Sequence, residues 1–142
     1  ATSDKNMAED RLGPVRIQGA YAWRKLLETG ARIANGSDFP VEHPNPFYGL
    51  HASVTRQDQR NEPPGGWYAE ENMSLVEALA SFTIDAAYAG HQEGELGSLE
   101  PGKKADFIIL DRDIFVVSPT ELWQTQVYET WVNGVKITDK NN

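Results

Sequence analysis

The chain of 142 residues carries 13 basic and 21 acidic side chains, a net charge of −8, with 39% apolar residues and no cysteine. That balance fits one packed domain rather than a disordered segment, and it argues against a nucleic-acid backbone or an anionic membrane as partner. Disulfides, thiolate-held zinc and thiol nucleophiles are excluded, no run approaches the roughly 18 apolar residues of a membrane span, and the first residues lack the basic and apolar regions of a secretory signal.

Residues 1–10 are polar and read as a connecting segment, with a turn of helix from Met7 to Leu12 ending at Gly13. Beyond Pro14, the side chains of Ala20, Trp23, Leu26 and Leu27 fall on one helical stripe while Arg24, Lys25 and Glu28 face away. Gly30 stands where a helix end requires a left-handed residue. Ile33 and Ala34 then predict a short buried strand over 31–35, which makes a helix-to-strand unit, half of a βαβ repeat. Gly36-Ser37-Asp38 is the C-terminal exit of that strand, where α/β barrels and open α/β sheets place their chemistry. Asp38 reads there as a metal ligand or proton shuttle. Its alternative is an Asx turn before Pro40, the commoner use of a Ser-Asp pair taken alone.

Three prolines make 39–46 an irregular loop, after which Phe47, Leu50 and Val54 resume helical spacing ahead of a polar tail, 56–60. The breaker-rich stretch 61–71 carries Trp67 and Tyr68, which either line a pocket or pin the loop to the body. Ser74 and Glu77 form a capping box for a helix striped by Leu75, Leu79, Phe82 and Ala86 and stopped by Gly90. From Glu95 the period becomes that of strands. Pro101-Gly102 fits a type II turn, and 105–110 is apolar on both faces, hence an interior strand. Ser118 to Glu121 is a second capping box, opening a short helix through Trp123. Asn133-Gly134 joins 126–132 to 135–138 as a hairpin.

The three histidines match no metal motif. His43, in the proline loop past Asp38, is the candidate to face a substrate, with plain solvation as its alternative. His51, beside the apolar stripe, reads as a satisfied structural histidine, and His91 follows a helix end where it favours the dipole. Glu42 and Arg56 read as surface residues, with an ion-pair or supporting role as the alternative. Gly97, Gly102, Lys103 and Lys104 make only a weak phosphate-loop signal, because the glycines precede a strand rather than open a helix.

Three stretches together resemble the C-terminal part of the amidohydrolase superfamily, in particular the branch of YtcJ-like hydrolases and N-substituted formamide deformylases. They are AYAWRKLLETGARIANGSDFPVE at 20–42, SLVEALASFTIDAAYAG at 74–90 and GSLEPGKKADFIILDRD at 97–113. VYETWVNGVKI at 127–137 is similar to the hairpin that closes the small β-sandwich domain of these enzymes. The resemblance implies a metal-dependent hydrolase of carbon–nitrogen bonds other than peptide bonds, built on a (β/α)8 barrel. It makes 31–35 the eighth barrel strand and Asp38 the aspartate that binds metal and shuttles the proton.

A whole barrel needs roughly 250 residues, and the histidines and lysine of the family's other strands are absent here. The implied fold is therefore α/β: the last βα unit of the barrel in 1–95, and the returning strands of the β-sandwich in 96–142. A divalent metal, zinc on this resemblance, is expected in the longer parent and none in the isolated piece, which would be inactive. Expected partners are a small-molecule substrate and the remainder of the parent chain, with self-association of the piece through exposed apolar surface. The competing reading is a non-catalytic binding or regulatory module.

Overall fold

The computed structural model describes residues 2–139. Among them, helices α1 (Lys5–Arg16), α2 (Trp23–Glu28), α3 (Pro46–Thr55), α4 (Leu75–Phe82) and α5 (Ile84–Ala89) precede an antiparallel sheet of β1 (Phe107–Leu110), β2 (Val127–Val132) and β3 (Val135–Asp139), in the order β1-β2-β3. No helix among the described residues is long and apolar enough to cross a membrane.

Several elements follow from local chemistry. The Asn45 side chain caps α3 by accepting from the Phe47 N–H at 3.0 Å, with Pro46 in the first helical position where its missing donor costs nothing. The box at α4 is complete: Ser74 N–H donates to the Glu77 carboxylate at 2.7 Å, and Glu77 N–H to the Ser74 hydroxyl at 3.3 Å. Asn133 (φ 51°) and Gly134 (φ 75°) both take the left-handed conformation that a two-residue hairpin loop demands.

Other expectations are corrected. Helix begins at Lys5, within the supposed connector, and Gly13 (φ 69°, ψ 175°) breaks it into two pieces. Residues 31–37 are in no sheet, Ala34 is exposed and Ile33 only half-buried. A strand exists by pairing, and no described strand lies alongside; one backbone bond, Asn35 N–H to the Ser81 carbonyl at 2.9 Å, ties the segment down. That bond also explains why the helix expected to reach Gly90 is two helices. With the Ser81 carbonyl engaged, the ladder loses an acceptor and the chain kinks at Thr83 (φ −125°, ψ −95°) before α5 restarts. β1 is an edge strand rather than an interior one, with Ile108 and Ile109 exposed. Ser118 caps nothing: its hydroxyl pairs with that of Thr120 at 2.7 Å, and the short helix is 3₁₀, Pro119–Gln124.

The main core joins Phe47 and Leu50 of α3, Met73, and Ala78 of α4 to Ile114 and Leu122 from the far end of the chain. A second cluster gathers Ala8, Ile17 and Trp67, with Trp67 donating its indole N–H to Glu9 at 2.7 Å, so this tryptophan pins its loop. Between them lies Arg56, read from sequence as a surface residue and in fact 1% exposed. Its guanidinium sits 4.6 Å from the Trp23 ring centre and 4.9 Å from that of Trp67, and it donates to the carbonyls of Trp67 (2.8 Å) and Tyr21 (3.0 Å). Burial pushes its pKa down from the usual arginine value, while the Glu71 and Glu70 carboxylates oppose that shift. Stacking on two indoles replaces much of the lost hydration.

Replacing Arg56 by Met keeps the length but leaves the Trp67 carbonyl without its side-chain donor, worth about 1–3 kcal/mol, while the Tyr21 carbonyl keeps the Trp23 N–H at 2.9 Å. The expected outcome is a loss of about 1–3 kcal/mol in urea unfolding, with Arg56→Lys recovering only part of it.

A pH dependence follows from Glu77. Hydrogen bonds from the Arg24 guanidinium (2.6 and 2.8 Å) and the Ser74 hydroxyl hold its carboxyl down from 4.5 to about 2. A carboxyl whose folded pKa lies below its unfolded one contributes stability above the unfolded value and loses it as pH falls. Stability should therefore drop between pH 4.5 and about 2, and Glu77→Gln should flatten that part of the melting-temperature profile.

Candidate functional site

The segment that ends at Asp38 is set by its two flanks. Upstream, Gly30 (φ 82°) lets the chain leave α2. Downstream, the serine makes the turn: the Ser37 hydroxyl accepts from Phe39 N–H at 3.3 Å and the Ser37 carbonyl from Glu42 N–H at 3.2 Å. Asp38 itself sits at φ 51°, with its carbonyl accepting from Val41 N–H at 2.8 Å. Its carboxylate is exposed and takes no hydrogen bond from the described residues, so the Asx-turn alternative is not the one adopted. The side chain is left open to whatever approaches this end of the segment.

Among the described residues no group of three or more His, Asp and Glu is placed to hold a metal ion. A catalytic zinc takes about three protein ligands, so the donors of this chain by themselves do not fit one.

A cleft of about 430 Å³ opens beside the same segment. Asn35, Gly36 and Ser37 form one side, Tyr48, Gly49 and Ser53 of α3 another. Gly49 leaves room for Phe82: a Cβ would stand 2.5 Å from the tip of that ring, which also lines the cleft, and would force it to shift. His43 lines it too. The Asn45 N–H donates to His43 Nδ1 at 3.1 Å, and the imidazole leans on the Tyr48 ring with centroids 4.9 Å apart.

The remaining candidates are placed as follows. Glu42 is exposed, lines the cleft and accepts from the Ser3 hydroxyl. His51 is fully buried, with Nδ1 3.0 Å from the Pro119 carbonyl and Nε2 3.0 Å from that of Asp58, which ties α3 to both the following loop and the C-terminal region. It is structural, as its position implied. His91 is exposed past α5. Lys103 and Lys104 pair with Glu100 (3.1 Å) and Glu95 (3.0 Å), which leaves the phosphate-loop reading without support. Sequence reasoning missed Trp23, Asn35 and Tyr48 as cleft residues; the available signal was an aromatic on α3 one position past the apolar stripe, close after His43.

Comparison with known proteins decides the family. A profile described as the amidohydrolase family matches residues 1–137. The chain belongs to the amidohydrolase family. YtcJ of Bacillus subtilis (strain 168), named as an amidohydrolase, is 30% identical over 139 residues, 98% of this chain and 26% of that protein. The N-substituted formamide deformylase of Arthrobacter pascens is 34% identical over 112 residues, 79% of this chain and 20% of its own length. The crystal structure of an amidohydrolase from Thermotoga maritima MSB8 has a similar fold, with a TM-score of 0.56 at 19% identity, and the match covers 98% of this chain and 36% of that one. The amidohydrolase chain described here thus spans about a quarter of the length of its curated relatives.

The cap at the start of α3 supports one wall of the cleft. Asn45→Ala removes the side-chain acceptor for Phe47 N–H and should cost about 1 kcal/mol in thermal unfolding. The bond to His43 is made by the Asn45 backbone and should survive, so the His43 ring signals in an NMR spectrum should shift little.

Proposed function

We propose that the chain is the C-terminal piece of a metal-dependent amidohydrolase that cleaves amide, formamide or cyclic-amide C–N bonds in a small molecule. On this reading 1–95 supplies the last βα unit of a (β/α)8 barrel and 96–142 the returning strands of a β-sandwich. The observation that carries it is the family match over 1–137, with the Asp38 carboxylate exposed and without a hydrogen bond from the described residues. An exposed carboxylate with no partner among the described residues is available to take a proton from an attacking water and return it to the leaving nitrogen. A bound divalent metal, zinc on this proposal, would lower the pKa of that water and polarise the carbonyl. Asp38 would be the one ligand contributed here, with the others and the rest of the barrel upstream in the parent, and His43 would contact the substrate.

The isolated piece is then inactive, because one carboxylate does not make a metal site. It also exposes apolar side chains that the parent would cover: Ile108, Val132, Val135 and Ile137 of the sheet and Phe115 and Val116 beside it. Exposed apolar surface beside an unpaired strand edge favours self-association.

In the full-length protein, Asp38→Asn should lower amide hydrolysis by at least about 10²-fold and reduce bound metal measured by elemental analysis. Unchanged turnover removes Asp38 from the mechanism. The 142-residue chain on its own should associate with rising concentration in sedimentation velocity; a monodisperse monomer with a cooperative melt counts against the unsupported-fragment reading.

A further inference from the structure

The cleft beside Asn35 has a composition that selects among substrates. Its volume of about 430 Å³ lies inside the range of roughly 300–1,000 Å³ usual for small-molecule sites. Trp23, Tyr48 and Phe82 supply flat apolar walls. Asn35 is committed elsewhere, its amide donating to the Ser53 hydroxyl at 3.2 Å and its backbone N–H to Ser81.

His43 is not committed. Its Nδ1 accepts from Asn45 N–H at 3.1 Å, and a nitrogen that accepts bears no proton. In the neutral ring the proton therefore sits on Nε2, which is left as a donor. The imidazole packs against the Tyr48 ring, with centroids 4.9 Å apart, and this contact and the Asn45 bond restrict its orientation. The one charged side chain among the described lining residues is Glu42, and no Lys or Arg lines the cleft. A carboxylate brought in here would meet like charge with no cation to answer it.

We infer that this cleft is the specificity subsite for an uncharged, planar, unsaturated substituent bearing a hydrogen-bond acceptor. The ring lies against Tyr48 and Trp23, its acceptor is met by His43 Nε2–H, and Glu42 excludes substituents that carry a carboxylate. The inference rests on the amidohydrolase reading for the identity of the scissile bond, but not for the ligand preference itself.

The test uses the full-length protein and two probes of the same shape, benzamide and benzoate, with binding followed by titration calorimetry and turnover followed separately. Benzamide should bind at least about tenfold more tightly than benzoate, a difference of one decade in Kd. Tyr48→Ala and His43→Ala should each weaken benzamide by about fivefold, and Glu42→Lys should raise benzoate affinity by about tenfold. Equal or stronger binding of benzoate, no binding of benzamide, or unchanged benzamide affinity in a folded His43→Ala protein overturns the inference. His43 lies on an exposed loop, so that variant remains informative if Tyr48→Ala fails to fold. Absence of hydrolysis of amides, formamides and cyclic amides alike, together with the expected binding pattern, upholds the subsite and rejects the hydrolase reading. Hydrolysis of aryl amides with no preference between neutral and carboxylated rings does the reverse.

Discussion

The architecture depends on a cation kept out of water. Arg56 closes α3 with its own N–H, bonded to the Ala52 carbonyl at 2.9 Å, and then turns left-handed at φ 59°. From there its carbonyl receives the Trp67 N–H at 2.9 Å while its guanidinium reaches the Trp67 and Tyr21 carbonyls. One residue thus joins the end of α3, the loop before α4 and the approach to α2. Hydrogen bonds made by a charged donor are stronger than neutral ones, and indole faces on either side shield these from solvent. Glu71, 3% exposed and ion-paired with Lys25, supplies compensating negative charge nearby.

The cleft is a result of that arrangement. Trp23 holds one face of the Arg56 guanidinium and also lines the cleft, so the position of the wall is set by the buried cation. The opposite wall, Tyr48, is a few turns back along the helix that Arg56 terminates, where it meets His43 on one side and Trp123 edge-on at 6.5 Å. The segment between them is held by Asn35, through its bonds to Ser53 and Ser81, and by Arg32, whose guanidinium lies 4.2 Å from the Tyr88 ring centre and 3.9 Å from the Asp85 carboxylate. Packed walls beside a segment that ends in an exposed carboxylate are compatible with a site completed by contacts from another part of a protein.

Features encoded within a few residues were legible in the sequence: the Ser74–Glu77 box, the turn at Gly102 (φ 97°), the exit at Gly30 and the Asn133-Gly134 hairpin. Each is a local bargain between a side chain and its own backbone, so no distant partner is needed to foresee it. What escaped reading depended on distant partners. Arg56 looks like the start of a polar tail, and only Trp23 and Trp67, 33 and 11 positions away in a sequence that gives no spacing rule for them, make it a core residue. The break at Thr83 has the same origin, since nothing in the alanine-rich stripe reveals that Asn35 will claim the Ser81 carbonyl. Pairing of 31–35 and burial of β1 both require neighbours that the described residues do not include. For the site, Asp38 and His43 were found by residue type and position, whereas Tyr48 and Trp23 were not, because an aromatic on a helix gives no sign of which side it will face.

The main core has a consequence for how the molecule can be divided. Leu122, 1% exposed and one of the most buried side chains in the protein, packs with Phe47 and Leu50 from a helix more than 70 positions earlier. A boundary drawn near residue 95 therefore separates two topologies but cuts through a single hydrophobic interior. Evolutionary recombination at that point would have to exchange matched surfaces on both sides, so the helix bearing Tyr48 and the turn bearing Leu122 would tend to be inherited together.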